Sequence, residues 1–120
     1  MIIIKDESYP VVIMIFDKFD DFEYKTFIKN IEYFSNKTIE DDICFKLYID
    51  LYNLQDYSYF SFNKLVNYLS DKEYPTLDTV KIFFNKENTS YITKGLAYAN
   101  NMTNDNFKMH IIDLENPTKW

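Results

Sequence analysis

The chain contains no arginine: all 13 basic residues are lysines, set against 19 carboxylates for a net charge of -6. Arginine supplies the bidentate fork that grips phosphate and the guanidinium plane that stacks on bases. Its absence from an acidic chain argues against a nucleic-acid binder. Glycine is almost missing as well, with Gly95 alone. Phosphate-cradling and dinucleotide-binding loops need several glycines so that backbone amides can approach the anion. An EF-hand calcium loop needs one at its sharp turn. Cys44 is the single cysteine, which excludes an intramolecular disulfide and a multi-cysteine metal site. Lying in Ile43-Cys44-Phe45, it is expected to be a buried, inert thiol. No apolar run approaches the roughly 18 residues that span a bilayer. Met1-Ile2-Ile3-Ile4 is too short for a signal-peptide core and has no basic flank before it. The chain is therefore expected in the cytoplasm, or in the host cytoplasm if it is viral.

What is present is apolar and aromatic. Hydrophobic residues make up 47% of the chain and aromatic ones 19%, enough to build one proper core in a chain this long. No repeat, low-complexity tract or Gly/Ser/Pro-rich linker divides it, so residues 1–120 read as one domain. Abundant Lys, Asn, Ile, Tyr and Phe with scarce Gly and Pro fit an AT-rich genome, and a viral origin is one reading of that bias.

Ile2-Ile3-Ile4 and Val11–Phe16 are short apolar runs separated by a polar, proline-terminated turn, Lys5–Pro10. The second is continuous and β-branched, the pattern of a strand covered on both faces. The first reads as its antiparallel neighbour at an edge. Asp20 or Asp21 can cap a helix whose apolar face is Tyr24, Phe27, Ile28, Ile31 and Phe34. Residues 36–42 read as a polar connector, and Ile43–Leu51 as the next buried strand. A polar and aromatic loop, 52–57, leads to a helix opened by Ser58 or Ser61 and lined by Phe62, Leu65, Val66 and Leu69. It should end near Asp71, before Pro75. Leu77–Phe84 is a further buried strand. Asn88 or Thr89 then caps a helix bearing Ile92, Leu96, Ala99 and Met102. Phe107–Ile112 is the last strand, and 114–120 a short tail. The order β-β-α-β-α-β-α-β implies an α/β fold: a mostly parallel five-stranded sheet with an antiparallel edge strand, helices covering the sheet.

One strand ends in Asp17 and leads into a helix. Leu47-Tyr48-Ile49-Asp50-Leu51 is a hydrophobic strand ending in Asp-Leu, followed by Ser58 near a helix start. Tyr74-Pro75-Thr76-Leu77-Asp78-Thr79-Val80-Lys81-Ile82 supplies the next strand. With these residues in this order, the chain from Val12 to Phe84 resembles the STAS (anti-sigma-factor-antagonist-like) fold. The lipid-binding lobe of Sec14-like (CRAL-TRIO) proteins is a related alternative. The match is one of pattern. Asp56-Tyr57-Ser58-Tyr59-Phe60-Ser61 replaces the family's Asp-Ser-Ser-Gly-like turn and contains no glycine. The resemblance implies a binding or regulatory role and makes Ser58 the counterpart of a regulatory phosphoserine. From the residues alone, Ser58 or Ser61 is a helix cap.

The acidic residues Asp17, Asp20, Asp21 and Glu23 follow the carboxyl end of a strand, where open α/β sheets commonly bind ligands. Asp50 and Asp56 follow the next. Asp17, Asp20 and Asp56 could converge on Mg²⁺ or Ca²⁺, whereas Asp20 to Glu23 could equally serve to cap a helix and complement its dipole. His110 is the only histidine, too few for a histidine-rich zinc site. A Ser-His-Asp triad would lack nucleophile-elbow glycines. Gly95 reads as a point of close helix-to-sheet packing. Tyr52, Tyr57, Ser58, Tyr59 and Phe60 form the most suggestive surface, since tyrosines favour interfaces. They either bind a partner or cover the end of the sheet. Trp120 either docks back or inserts into a neighbour. The expectation is a non-enzymatic protein-interaction or regulatory domain without a cofactor, whose partner is another protein or a second copy. A lipid-like ligand module and a self-associating assembly protein are the alternatives.

Overall fold

Val11–Phe16 forms strand β2, next to one edge of the sheet, in a computed structural model that describes residues 2–71, 74–101 and 107–120. Its alternate residues Val12, Met14 and Phe16 are wholly buried. Strand β1 (Ile2–Lys5) pairs with it antiparallel, with Ile3 opposite Ile15 and Lys5 opposite Ile13. Strands β3 (Phe45–Asp50), β4 (Leu77–Asn85) and β5 (Lys108–Leu114) follow in parallel, and the sheet order is β1-β2-β3-β4-β5. Helices α1 (Asp21–Asp41), α2 (Phe62–Asp71) and α3 (Thr89–Asn101) make the three crossovers. The α/β architecture and element order are those the sequence implies.

Each crossover steps to the adjacent strand in the same direction. Right-handed connections of this kind put every helix on the same side of the sheet. The core has that one-sided composition: Val12, Met14, Phe16, Phe45, Leu47, Ile49, Val80, Ile82, Phe84 and Met109 from the strands meet Phe27, Ile31 and Phe34 of α1 and Phe62, Leu65 and Leu69 of α2. The expectation that β2 is covered on both faces is thus corrected. Its second face, Val11, Ile13 and Ile15, has no helix over it among the described residues.

Local sequence explains most boundaries. Asp20 caps α1, its Oδ1 accepting from the Glu23 amide at 3.1 Å, and Asp21 and Glu23 place carboxylates in the first turn, where the dipole favours them. The helix then runs on through the residues expected to form a connector. Thr38 makes this possible: it is fully buried and donates to the carbonyls of Phe34 and Ser35, while also meeting Thr76 Oγ1 at 2.8 Å. A polar residue continues the buried stripe because its hydroxyl is satisfied. The end comes at Asp42, in the left-handed conformation (φ 55°, ψ 45°), with its amide and that of Ile43 bonded back to Ile39 and Thr38. Glycine is the usual residue at such a helix end.

Ser61, not Ser58, caps α2, with Lys64 N donating to Ser61 Oγ at 3.2 Å. Strand β3 starts at Phe45, two residues later than expected, which leaves Cys44 outside the sheet and exposed. The expectation of a buried thiol is corrected: the apolar run reaches back past the first paired residue. Strand β5 extends beyond Ile112 to Leu114. Met102, expected on α3, lies outside the described residues. Gly95 is buried, and a Cβ there would come within 2.8 Å of Phe62 and 2.9 Å of Ile111. The close approach expected of it is present, against those two side chains.

Candidate binding surface

Two regions gather the residues singled out in the sequence. The first is the loop between β3 and α2. Leu54 and Phe60 are buried there. Phe60 meets Phe19 edge-on at 5.4 Å and Phe62 at 4.9 Å, so it belongs to the core. Tyr57 is half-buried and stacks on Tyr91 at 4.3 Å. Its hydroxyl accepts from Asn88 Nδ2 at 2.9 Å and donates to the Leu51 carbonyl at 3.3 Å, and burial pushes its pKa up to about 12. Tyr59 is 61% exposed. Ser58 is exposed in a turn, its amide and hydroxyl both donating to Asp56 Oδ1. Those two hydrogen bonds hold the Asp56 carboxyl below the usual carboxylate range. An open cleft of about 320 Å³ runs between this loop and α3, lined by Tyr57, Ser58, Phe60, Tyr91, Lys94 and Tyr98 among others.

The metal candidates are not brought together as a set. Asp20 is used as the cap of α1 and Asp56 in its own turn, while Asp17 is an exposed residue at the end of β2. Among the described residues no group of three or more His, Cys, Asp or Glu is placed to hold a metal ion.

The second region is the helix-free face of the sheet. Side chains alternate along a strand, so this face is read from the residues between the core positions. The cross-strand register aligns Ile3, Ile15, Asp50, Phe83 and Ile112 in one row. Lys5, Ile13, Tyr48, Lys81 and His110 form the next. Val11, Lys46, Thr79 and Lys108 form a third. Lysines therefore recur on every strand of this face except β2. The carboxylate within these rows, Asp50, is consumed internally. It is 4% exposed, and its Oδ1 accepts from the Tyr52 amide at 2.9 Å while Oδ2 accepts from Trp120 Nε1 at 2.6 Å. Asp78 stands at the irregularity in the β3–β4 pairing and accepts from Thr79 Oγ1 at 2.7 Å.

Trp120 reaches this face because residues 115–120 turn back over it. Tyr52 donates to the Glu115 carbonyl at 3.2 Å, Lys86 bridges Glu115 at 2.8 Å, and Lys5 Nζ donates to the Trp120 carbonyl at 3.3 Å. The indole lies 5.3 Å from the Phe83 ring and 6.0 Å from that of Tyr48, and Lys81 stands over Tyr48 at 5.2 Å. Of the two possibilities for Trp120, the structure places it docked on its own sheet. The half of the face around Lys46, Thr79, Lys108 and His110 has no such contact with the tail among the described residues. Sequence reasoning missed this face, although the alternation was legible in Phe45-Lys46-Leu47-Tyr48 and in Lys108-Met109-His110.

A third feature has the opposite sign. The β1–β2 turn carries Asp6 and Glu7, and α1 ends in Glu40, Asp41 and Asp42, all exposed. Tyr9 joins the two segments: it packs on Phe34, and its hydroxyl donates to Asp41 Oδ2 at 2.7 Å. Desolvation and that carboxylate push the Tyr9 pKa up to about 12. No family model, no curated protein and no solved structure matches the chain.

Proposed function

We propose that the chain is a non-enzymatic protein-interaction or regulatory domain of STAS-like type, acting in the cytoplasm through the helix-free face of its sheet. The element order on which the STAS resemblance was drawn, β-β-α-β-α-β-α-β, is also the order of the fold, which supports the reading. The observation that carries it is the chemistry of that face. Tyr48, Phe83 and Trp120 form its aromatic centre, and Lys5, Lys46, Lys81 and Lys108 surround it. Aromatic anchors within a polar, solvent-accessible rim are the usual makeup of a protein-binding patch, and here lysines supply the rim. Tyr59 and Ser58, exposed in the loop between β3 and α2 that also carries Tyr52 and Tyr57, offer a partner a second surface. Phe60 contributes from beneath as support.

A lipid-like ligand would need apolar space between the helices and the sheet. At α3 that space is taken, because even a methyl group on Gly95 would collide with Phe62 and Ile111. Native mass spectrometry of the protein purified from its own host cells tests the proposal. A bound second polypeptide, whether another protein or a second copy, is the expected result. A monomer carrying a stoichiometric small molecule would overturn it in favour of a ligand-binding module.

A further inference from the structure

The helix-free face has a sign, and the rest of the molecule has the other. The chain carries a net charge of -6, yet Lys46 and Lys108 flank Thr79 on adjacent strands, with Lys81 and His110 in the row beside them. Strands lie about 4.8 Å apart, so the three lysines project as one basic cluster. The nearby carboxylates on this face, Asp50 and Asp78, are already engaged with Trp120, Tyr52 and Thr79. Elsewhere, Asp6 and Glu7 of the β1–β2 turn and Glu40, Asp41 and Asp42 at the end of α1 make an acidic pole. There is no basic residue in the last turn of α1. Carboxylates at a helix C-terminus face the negative end of its dipole and are disfavoured there. Within the monomer this pole is a local conflict. Lys37, over the Tyr9 ring at 4.6 Å, offsets part of it, and five exposed carboxylates to one lysine leave an excess that lysines supplied from outside would relieve.

We propose that the basic helix-free face of one chain receives the acidic pole of a second copy, giving a head-to-tail association. This rests on the interaction reading above and names the partner for it. Charge complementarity chooses the occupant, because the chain itself carries both halves of the contact on different surfaces. The contact is heterologous: face meets pole, and each chain keeps one free face and one free pole. Such contacts continue into rings or filaments.

Size sets the strength. Five strands about 4.8 Å apart and roughly six residues long make a face of about 400 Å²; the tail takes part of it, so the area open to a partner is less than half the ~800 Å² per partner of a standard stable complex. The association is therefore weak, concentration-dependent and sensitive to salt. Exposed charges act over about 30 Å at 0.01 M ionic strength and only about 3 Å at 1 M.

Sedimentation velocity on the full chain tests this. The wild-type protein is expected to associate as its concentration rises at about 0.01 M salt, and to revert to monomer near 1 M. A face-reversed variant, Lys46→Glu with Lys108→Glu, and a pole-reversed variant, Glu7→Lys with Glu40→Lys, are each expected to associate at least about tenfold more weakly, since each then meets like charge with like. All four positions are exposed. An equimolar mixture of the two variants is expected to restore association, because each then offers what the other lacks. That recovery also shows that both variants are folded. A wild-type chain that stays monomeric at low salt overturns the proposal, while the interaction reading stands if native mass spectrometry finds a different protein bound. Wild-type association that survives reversal of the face overturns it too, by placing the interface elsewhere. A monomer that binds a labelled oligothymidylate strand through Lys46 and Lys108 would assign the face to nucleic acid and overturn the second-copy assignment.

Discussion

The two faces of one sheet are built from the same strands and do opposite work. On the covered face, Val12, Leu47, Val80, Ile82 and Phe84 are wholly buried beneath α1 and α2 or beside α3. On the other, their immediate neighbours are Ile13, Lys46, Tyr48, Lys81 and Phe83, which pack only sideways and against the returning tail. Burial free energy scales with apolar area removed from water, so stability is concentrated on the covered face. The helix-free face is left free to vary its chemistry. A strand residue's position in the two-residue alternation, together with whether the tail or a neighbouring strand covers it (as for Ile13, Phe83 and Asp50), decides whether it stabilises the fold or is available to a partner.

The strongest way to break this comparison is a pair of substitutions on the two faces. Phe84 has no exposure and touches Tyr57, Phe60 and Phe62. Phe84→Ala is expected to cost about 3–5 kcal/mol, the range for deleting a buried aromatic ring and leaving a cavity. Lys46→Ala, one strand away but exposed, is expected to change stability by no more than about 0.5 kcal/mol. Urea denaturation reads both. Comparable losses at the two sites would mean that the helix-free face is also a structural core.

The tail sharpens the comparison, because among the described residues it is the segment that crosses the helix-free face. Trp120 is the only tryptophan, so its fluorescence reports docking directly. Asp50→Asn keeps the shape of the acceptor but gives it one carbonyl oxygen in place of two carboxylate oxygens. That oxygen can serve the Tyr52 amide or the indole N–H, and the amide nitrogen then opposes the remaining donor. The variant is expected to lose about 1–3 kcal/mol, the cost of leaving a buried polar group unmatched. Its emission is expected to shift to the red, with acrylamide quenching increased. Unchanged emission would mean that ring packing on Phe83 and Tyr48 alone holds the tail.

Much of the covered face was legible in the sequence, and most of the helix-free one was not. Tyr24, Phe27, Ile31 and Phe34 announce α1 through their spacing, and continuous apolar runs announce β2 and β4. These signals are local, so element order followed. The side chosen by the helices depends on which strand lies beside which, and that is a long-range property. Lys46, Lys81 and the Lys108–His110 pair are far apart in sequence and become neighbours only through register. The Asp50–Trp120 bond spans 70 positions, with nothing in either neighbourhood to pair them. The shortfall at the end of α1 had a different cause. Ser35 and Thr38 are polar, so the helical stripe faded in hydropathy, whereas in the fold their hydroxyls lie buried within it. Cys44 misled in the reverse sense: the residues around it are apolar, but the sheet begins one residue later.

A loss well below that at Phe84 is expected at Gly95, where two terms of opposite sign nearly meet. Glycine inside a helix is less favourable than alanine by about 1 kcal/mol, so at an exposed site Gly95→Ala would stabilise the protein. Here the added methyl would stand 2.8 Å from Phe62 Cζ and 2.9 Å from Ile111 Cδ1 and Cγ1, too close for real contacts. Both obstacles are side chains rather than backbone, so they can yield, but Phe62 is buried and stacked on Tyr98 at 5.8 Å. Overpacking a filled core costs about 1–3 kcal/mol, which outweighs the gain in helix propensity. The net expectation is a loss of about 1 kcal/mol. A Gly95→Ala variant more stable than wild type in the same urea titration would mean that α3 sits looser on the sheet than these distances require. It would also reopen the space between helix and sheet that a ligand-binding module needs, and the covered face would no longer be purely structural.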